Sequence, residues 1–335
     1  MNLLNQRYAL ETLINTGVYC EVWKAQDRLT NTPVLIKKYF PAAIREWKSL
    51  QLIEREARIL AQINHIEIPS LVDFFAVEDA GEETLYLVCY WVRGVSLKEK
   101  LDLEGPFSIS EALQVASHVL ELLIYIHAFQ PPVIHRDIKL SNLMVSDANR
   151  IFLIDFGGVQ ETVEAGVGGS TIVGTLGYMA PEQVQGRAVP ASDLYSLGVV
   201  VFTLLLGYEL TDVHERSIEE RLKTLDLPEQ ILLWLNNLTE PNVNKRYANA
   251  QDALRDLDHI RQQDFDSRLL FYPRDHQPQL PEIIQRLSLM NRDEKDHSLQ
   301  QGTLLEGKYR IQGLMGSGAH SRVYAAKSEV NGLPL

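Results

Sequence analysis

In this chain of 335 residues, the side chains best suited to chemistry lie close together, between residues 133 and 157. The segment reads VIHRDIKLSNLMVSDANRIFLIDFG. Asn142 follows Asp137 by five positions, and Asp155 follows it by eighteen. Two apolar runs, 142–145 and 151–154, separated by Ser-Asp-Ala-Asn, predict a β-hairpin. Asp137 and Asp155 then sit on loops at its two ends. Two carboxylates and an amide oxygen converging on one spot, with Lys139 beside them, suit Mg²⁺ and phosphate rather than a soft metal. Hard cations take oxygen ligands and keep some of their water.

His135-Arg136-Asp137 followed by Asn142 resembles the catalytic loop of a protein kinase, and Asp155-Phe156-Gly157 resembles its metal-binding loop. The resemblance implies that Asp137 takes the proton of a substrate hydroxyl, Asn142 and Asp155 hold Mg²⁺, and Lys139 stabilises the transferred phosphoryl group. Lys139 at that place resembles Ser/Thr kinases rather than Tyr kinases. A turn and a chance tripeptide would explain either motif alone. The two together, at family spacing and between predicted strands, are not explained that way.

The elements that must position these residues are partly legible. Residues 8–38 alternate apolar and polar side chains and break at 15–17 and 31–33, which predicts three antiparallel strands. Their first turn, Ile14-Asn-Thr-Gly-Val-Tyr-Cys-Glu-Val22, resembles a kinase Gly-rich loop in which only Gly17 remains, with Asn15 and Cys20 at the other glycine places. A left-handed backbone at Cys20 would cost about 1–2 kcal/mol. Lys37 ends the third strand and resembles the lysine that grips ATP phosphates. Residues 45–63 have helical period, and Glu56, nineteen positions after Lys37, resembles its helix partner; Glu46 and Glu54 are the rivals. Residues 64–75 and 85–90 read as two further strands. Cys89 resembles the residue at the back of the adenine slot, and Tyr90, Trp91 and Val92 resemble the hinge between lobes. With Leu35 above the adenine, the resemblance implies an ATP site lined by Ile14, Gly17, Val22, Leu35, Lys37, Tyr90, Trp91, Val92 and Met144.

Further along, Ser96 caps a helix, and a long helix runs from Ser110 to His127. Leu60, Leu71, His135 and Phe156 match the apolar stack that links kinase lobes. The Gly/Ser/Thr-rich stretch 158–174 resembles an activation segment, with Ser170 or Thr171 as the expected phosphorylation site. Thr175 is expected to contact Asp137 and Lys139. Ala180-Pro181-Glu182 resembles the segment's anchor, with Arg246 as the partner of Glu182 and Asp193 bracing the catalytic loop.

The expected fold is therefore α+β: a bilobal protein kinase fold with a small antiparallel β-rich N-lobe (8–90), a hinge (90–94) and a larger, mostly helical C-lobe (94–262). The wording of 169–198 resembles bacterial eukaryote-like (Hanks-type) serine/threonine kinases, cyanobacterial members in particular. Residues 263–301 are polar and proline-containing and read as a linker with one short helix after Pro281. Residues 302–335 repeat the chain's start at an offset of 301: Leu4, Tyr8, Leu13, Gly17 and Val22 match Leu305, Tyr309, Leu314, Gly318 and Val323. This reads as the truncated start of a second kinase repeat, or as a vestigial hairpin that docks on the first domain.

Composition bounds the alternatives. The net charge of −12 argues against a nucleic-acid partner, which needs clustered Lys and Arg. Two cysteines, Cys20 and Cys89, make no disulfide framework and suggest a reducing cytoplasm. The greasiest run, 194–206, is shorter than the about twenty residues a bilayer span needs, so no membrane span is expected. The expected partners are ATP, Mg²⁺ and protein substrates with Ser/Thr acceptors. One alternative is a pseudokinase, a nucleotide-binding or scaffold module, suggested by Asn15, Cys20 and Leu35. Another is a small-molecule phosphotransferase, opposed by Ala180-Pro181-Glu182.

Overall fold

The computed structural model describes residues 3–17, 19–41, 47–79, 82–161, 175, 177–209, 225, 227–262, 304–305, 309–317 and 322–328. Glu46, Ser170, Thr171 and the 263–301 linker lie outside the described residues. The chain divides into two compact units, 1–283 and 284–335.

The first unit opens with β1 (Tyr8–Thr16), β2 (Cys20–Asp27) and β3 (Thr32–Tyr39), then helix α1 (Trp47–Gln62), β4 (Leu71–Asp79) and β5 (Glu82–Tyr90). The strands form one antiparallel sheet in the order β1-β2-β3-β5-β4. Directly opposed residues of antiparallel neighbours share a face, and that face alternates along each strand. Cys20 opposes Tyr39, Val22 opposes Lys37, and Leu35 opposes Cys89, so these six residues share one face. Tyr39 and Cys89 belong to the main core, with Cys20 packed against it. The opposite face carries Tyr8, Ala25, Val34, Ile36, Tyr86 and Val88, a separate apolar cluster closed by stacked rings of Tyr8, Phe75 and Tyr86. Lys37 thus leaves the sheet on the face that packs against α1.

The expectation of a strand from residue 64 is corrected: β4 begins at Leu71. Backbone groups of 64–70 are engaged elsewhere. Asn64 N donates to Tyr125 Oη at 2.9 Å, and Glu67 O accepts from Leu153 N at 3.0 Å. The segment's first half ties the sheet to the lower lobe instead of extending the ladder.

Below the hinge follow β6 (Gly94–Ser96), α2 (Leu97–Glu104), α3 (Ile109–His127), β7 (Val133–Ile134), β8 (Leu143–Ser146), β9 (Ile151–Leu153) and β10 (Gln160–Glu161). The helices α4 (Pro181–Val184), α5 (Pro190–Leu206), α6 (Glu229–Leu238) and α7 (Ala250–Gln262) complete the lobe. The predicted hairpin is β8–β9, with β6 alongside. A Cβ at Gly94 would run into the Val145 carbonyl, so glycine lets the chain leave the hinge this close to β8. Ser96 caps α2 with Glu99 in a capping box, as expected. The long helix starts earlier than Ser110 because Ser108 and Glu111 form a second capping box.

Among the described residues α3, not the run at 194–206, is by length and composition the helix long and apolar enough to cross a membrane. Its Ala112, Ala116, Val119, Leu120, Leu123 and Ile126 are buried in the core shared with α5. Full burial of one such leucine or isoleucine contributes about 1.5–3 kcal/mol. At Gly198 a Cβ would come within 2.9 Å of Leu238 Cβ, so α5 needs glycine where α6 crosses it.

In the second unit, β11 (Leu304–Leu305), β12 (Tyr309–Ser317) and β13 (Arg322–Ser328) form an antiparallel sheet. Its register matches that of β1–β2 pair for pair at an offset of 301. Tyr8 opposes Asp27 as Tyr309 opposes Ser328, and Asn15 opposes Val22 as Gly316 opposes Val323. The irregularities after Leu10 and Leu13 recur after Ile311 and Leu314. The Leu4–Tyr8 bridge recurs as Leu305–Tyr309.

Candidate active site

The catalytic segment is braced from below by α5. Asp193, fully buried, accepts from His135 N at 2.9 Å and Arg136 N at 2.8 Å, and bonds His127 Nε2 at 2.9 Å. These bonds hold Arg136 at φ +68°, a left-handed conformation that costs a non-glycine residue about 1–2 kcal/mol. Gln183 Nε2 donates to Arg136 O at 2.6 Å from the other side. The strained turn aims Asp137 at a cluster of donors: Thr175 Oγ1 donates to its Oδ1 at 2.9 Å, and Asn142 Nδ2 to its Oδ2 at 2.9 Å. Lys139 Nζ lies 2.8 Å from both Asp137 Oδ2 and Thr175 Oγ1. The expected contact of Thr175 with Asp137 and Lys139 is present.

Asp155 sits at the far end of the β8–β9 hairpin, also left-handed at φ +65°. The hairpin joins the two ends, since Ile154 N donates to Asn142 O at 3.0 Å. Phe156 is buried against the His135 ring in an edge contact at 4.8 Å. Lys37 Nζ then reaches down from β3 to Asp155 Oδ1 and across to Glu56 Oε1, both at 2.6 Å. Lys37 holds the Asp155 carboxyl well below the usual carboxylate range. Burial opposes the charge on Lys37, but Asp155 and Glu56 outweigh it and keep the ammonium protonated well above its usual value. Glu56, and not Glu54, is the helix partner, and its second oxygen accepts from Tyr39 Oη at 2.9 Å.

The donor set fits a hard divalent ion. Asn142 has its amide nitrogen committed to Asp137, which leaves Oδ1 as its coordinating atom. Asp155 Oδ1 takes Lys37 and Gly157 N, which leaves Oδ2. Among the described residues no cluster of three or more His, Cys, Asp or Glu would hold a metal alone. Two protein oxygens with water and phosphate completing the shell is the pattern Mg²⁺ favours.

Above this floor, Val22 and Leu35 share the face of Lys37, and Ile14 and Gly17 stand at the turn of β1 and β2. Asn15, Gly17 and Cys20 are absent from the residues with positive φ, and Gly17 N donates to Cys20 O at 2.8 Å to close the turn. The left-handed backbone that would cost about 1–2 kcal/mol at Cys20 is therefore not adopted. Burial raises the Cys20 thiol, and it pushes Cys89 up to about 12, so both are packing groups rather than nucleophiles. In the hinge, Tyr90 N donates to Ser70 O and Trp91 N to Pro33 O, each at 3.2 Å. Met144 lies on β8, opposite Ser96. A cavity of about 640 Å³ also borders the hinge, but its lining includes none of Lys37, Asp137, Asn142 or Asp155.

The anchor behind the site is a bidentate pair. Arg246 Nη1 and Nη2 donate to Glu182 at 2.7 and 3.1 Å, and Ser192 Oγ donates to the same carboxylate at 2.7 Å. Gln183, His127, Ser192 and Tyr39 were missed as supports. Tyr39 carried a signal, since a residue two after Lys37 leaves the strand on the same face.

The fold and this constellation define a protein kinase. The protein kinase domain family matches residues 8–271, and the chain belongs to that family. It is 32% identical over 274 residues to serine/threonine-protein kinase F of Synechocystis sp., covering 75% of this chain and 55% of the relative. It is 32% identical to serine/threonine-protein kinase B of the same organism over 276 residues, covering 76% and 47%. To PknB of Mycobacterium tuberculosis it is 32% identical over 208 residues, covering 61% and 33%. The chain spans about half the length of the cyanobacterial relatives it matches.

Proposed function

We propose that the chain is a serine/threonine protein kinase that transfers the γ-phosphoryl group of ATP to a protein hydroxyl. The observation that carries this reading is Lys37 bonded at 2.6 Å to both Glu56 and Asp155, which brings β3, α1 and the loop after β9 to one point. The substrate oxygen attacks the γ-phosphorus, the bond to the β,γ-bridging oxygen breaks, and ADP leaves. Asp137 orients the attacking hydroxyl and receives its proton. Thr175 already holds a hydroxyl at 2.9 Å from Asp137 Oδ1. Lys139 offsets charge on the transferring group, and Lys37 fixes the phosphates. Mg²⁺, held by Asn142 and Asp155, would neutralise charge growing on the phosphate oxygens. Most of the acceleration is positioning and electrostatics. Because the N–H groups of Tyr90 and Trp91 are taken, Val92 N is the hinge donor offered to adenine, between Leu35 and Met144.

The kinase domain spans 8–262, with 263–301 as linker. The common register of the two hairpins supports reading 302–335 as a second copy of the β1–β2 unit. The free thiols Cys20 and Cys89 fit a reducing, cytoplasmic setting.

Autophosphorylation with labelled Mg-ATP tests the reading. Wild type should label Ser170, Thr171 or Thr175, and Asp155→Asn should lower labelling by roughly 10²–10³-fold through loss of the metal ligand. Labelling that survives Asp155→Asn would remove the assigned metal site. Mg-independent ATP binding with no labelling of either protein would favour the pseudokinase reading that Asn15 and Cys20 suggest.

A further inference from the structure

Strand β3 presents two donors to the buried carboxylate of Glu56. Lys37 and Tyr39 leave the strand on one face. Lys37 Nζ bonds Glu56 Oε1 at 2.6 Å, and Tyr39 Oη donates to Oε2 at 2.9 Å. Glu56 is 2% exposed and Tyr39 is 7% exposed. Each carboxylate oxygen therefore has its own partner on the same strand. Burial first, and the Glu56 charge second, raise the Tyr39 phenol well above its usual value, so it remains a donor.

We infer that Tyr39 is a positioning residue. It holds Glu56, and through it Lys37 and α1, in the phosphoryl-transfer arrangement before nucleotide arrives. A buried carboxylate oxygen without a donor is costly. Without the Tyr39 hydroxyl, Glu56 recovers in one of two ways. It draws Lys37 onto both oxygens, away from Asp155, or α1 turns until the carboxylate meets water. Either way Lys37 loses its place between Glu56 and Asp155. With Oε2 held, Lys37 gives one N–H to Glu56, one to Asp155 and keeps a third for a phosphate oxygen. A lone Lys37–Glu56 bond is a pivot, whereas two bonds from one strand also fix the rotation of α1.

The inference rests on the kinase reading, and its test separates the two. Tyr39→Phe keeps the ring and its packing and removes only the hydroxyl. Its kcat should fall roughly tenfold, as expected for losing a hydrogen bond to a charged group, with a smaller change in the KM for ATP. A merely structural role would lower the melting temperature and leave kcat unchanged well below it. Amide hydrogen exchange over residues 47–62 in nucleotide-free protein reads the clamp without any activity. Exchange should quicken several-fold in Tyr39→Phe, and the same substitution should add little in a Glu56→Gln background. Wild-type exchange and kcat in Tyr39→Phe, or an undiminished effect beside Glu56→Gln, overturns the inference. An inactive wild type would overturn the kinase reading instead, while exchange still decides the role of Tyr39.

Discussion

The loop that carries Asp137 and the turn between β1 and β2 are held in place by different means. Below, Asp193, Gln183 and Asn142 fix Arg136 and Asp137 through hydrogen bonds, and the left-handed Arg136 is kept in place by them. Above, the turn between β1 and β2 is closed by a backbone bond from Gly17 N to Cys20 O, and Ile14 and Tyr19 beside it are 50% and 51% exposed. The floor is over-determined and the roof is not. Geometry at the floor enters the rate directly, where small misplacement is costly. On the proposed reading the roof acts mainly on how well nucleotide is held, so its glycines can be exchanged at modest cost. The second hairpin makes the same point, since β12–β13 has Gly316 and Gly318 where β1–β2 has Asn15 and Gly17, yet the register and both irregularities are the same.

The comparison breaks most sharply at Asp193. Asp193→Ala leaves the buried N–H groups of His135 and Arg136 without their acceptor. Two such groups cost about 2–6 kcal/mol together, which denaturant unfolding would measure. The strained turn then relaxes and Asp137 moves, so kcat should fall roughly a hundredfold at temperatures where the variant is folded. A stable variant with near-normal kcat would show that the floor is not held as described.

The floor was legible in sequence because Asp137, Asn142 and Asp155 fall in one segment that resembles protein kinase motifs. Lys37, Glu56, Thr175, Asp193 and the Glu182–Arg246 pair were then implied by that resemblance. What was not legible depends on long-range bonding. Gln183 reaches Arg136 O only once α4 packs beneath the catalytic loop. Residues 64–67 look like strand, but backbone groups of Asn64 and Glu67 bond to Tyr125 and Leu153. Short β10 is invisible because its two residues pair with the distant Val133–Ile134. At the roof, residue type overstated the strain, since the turn closes without left-handed backbone at Cys20.

A smaller effect sharpens the contrast at the roof. Cys20→Gly frees the turn for closer approach to phosphate but relieves no left-handed strain, and glycine loses more chain entropy on ordering. The two partly cancel, so the KM for ATP should shift by no more than roughly fivefold, with kcat unchanged. A larger gain in affinity would mean that the turn adopts left-handed geometry when nucleotide binds. A change in kcat would make the roof part of the chemistry.

A last effect, of comparable size, separates the two hairpins. Arg7 donates to Asp27 at 2.9 and 2.7 Å, with Asp27 fully buried, and at the matching places of the second hairpin stand Lys308 and Ser328. The hydrogen bond from Arg7 holds the Asp27 carboxyl well below the usual carboxylate range. A depressed carboxylate contributes stability that is complete above its unfolded value, near pH ~4, and is lost as pH falls through the folded value. The double substitution Arg7→Lys with Asp27→Ser removes that contribution. Wild type should therefore lose about 1–2 kcal/mol more than the variant between pH ~4 and pH ~2, with parallel curves at neutral pH. Equal acid limbs in the two proteins would mean that Asp27 is no better held in the folded chain than in the unfolded one. The first hairpin would then owe its anchoring to Tyr8 and the apolar cluster around it rather than to this buried pair.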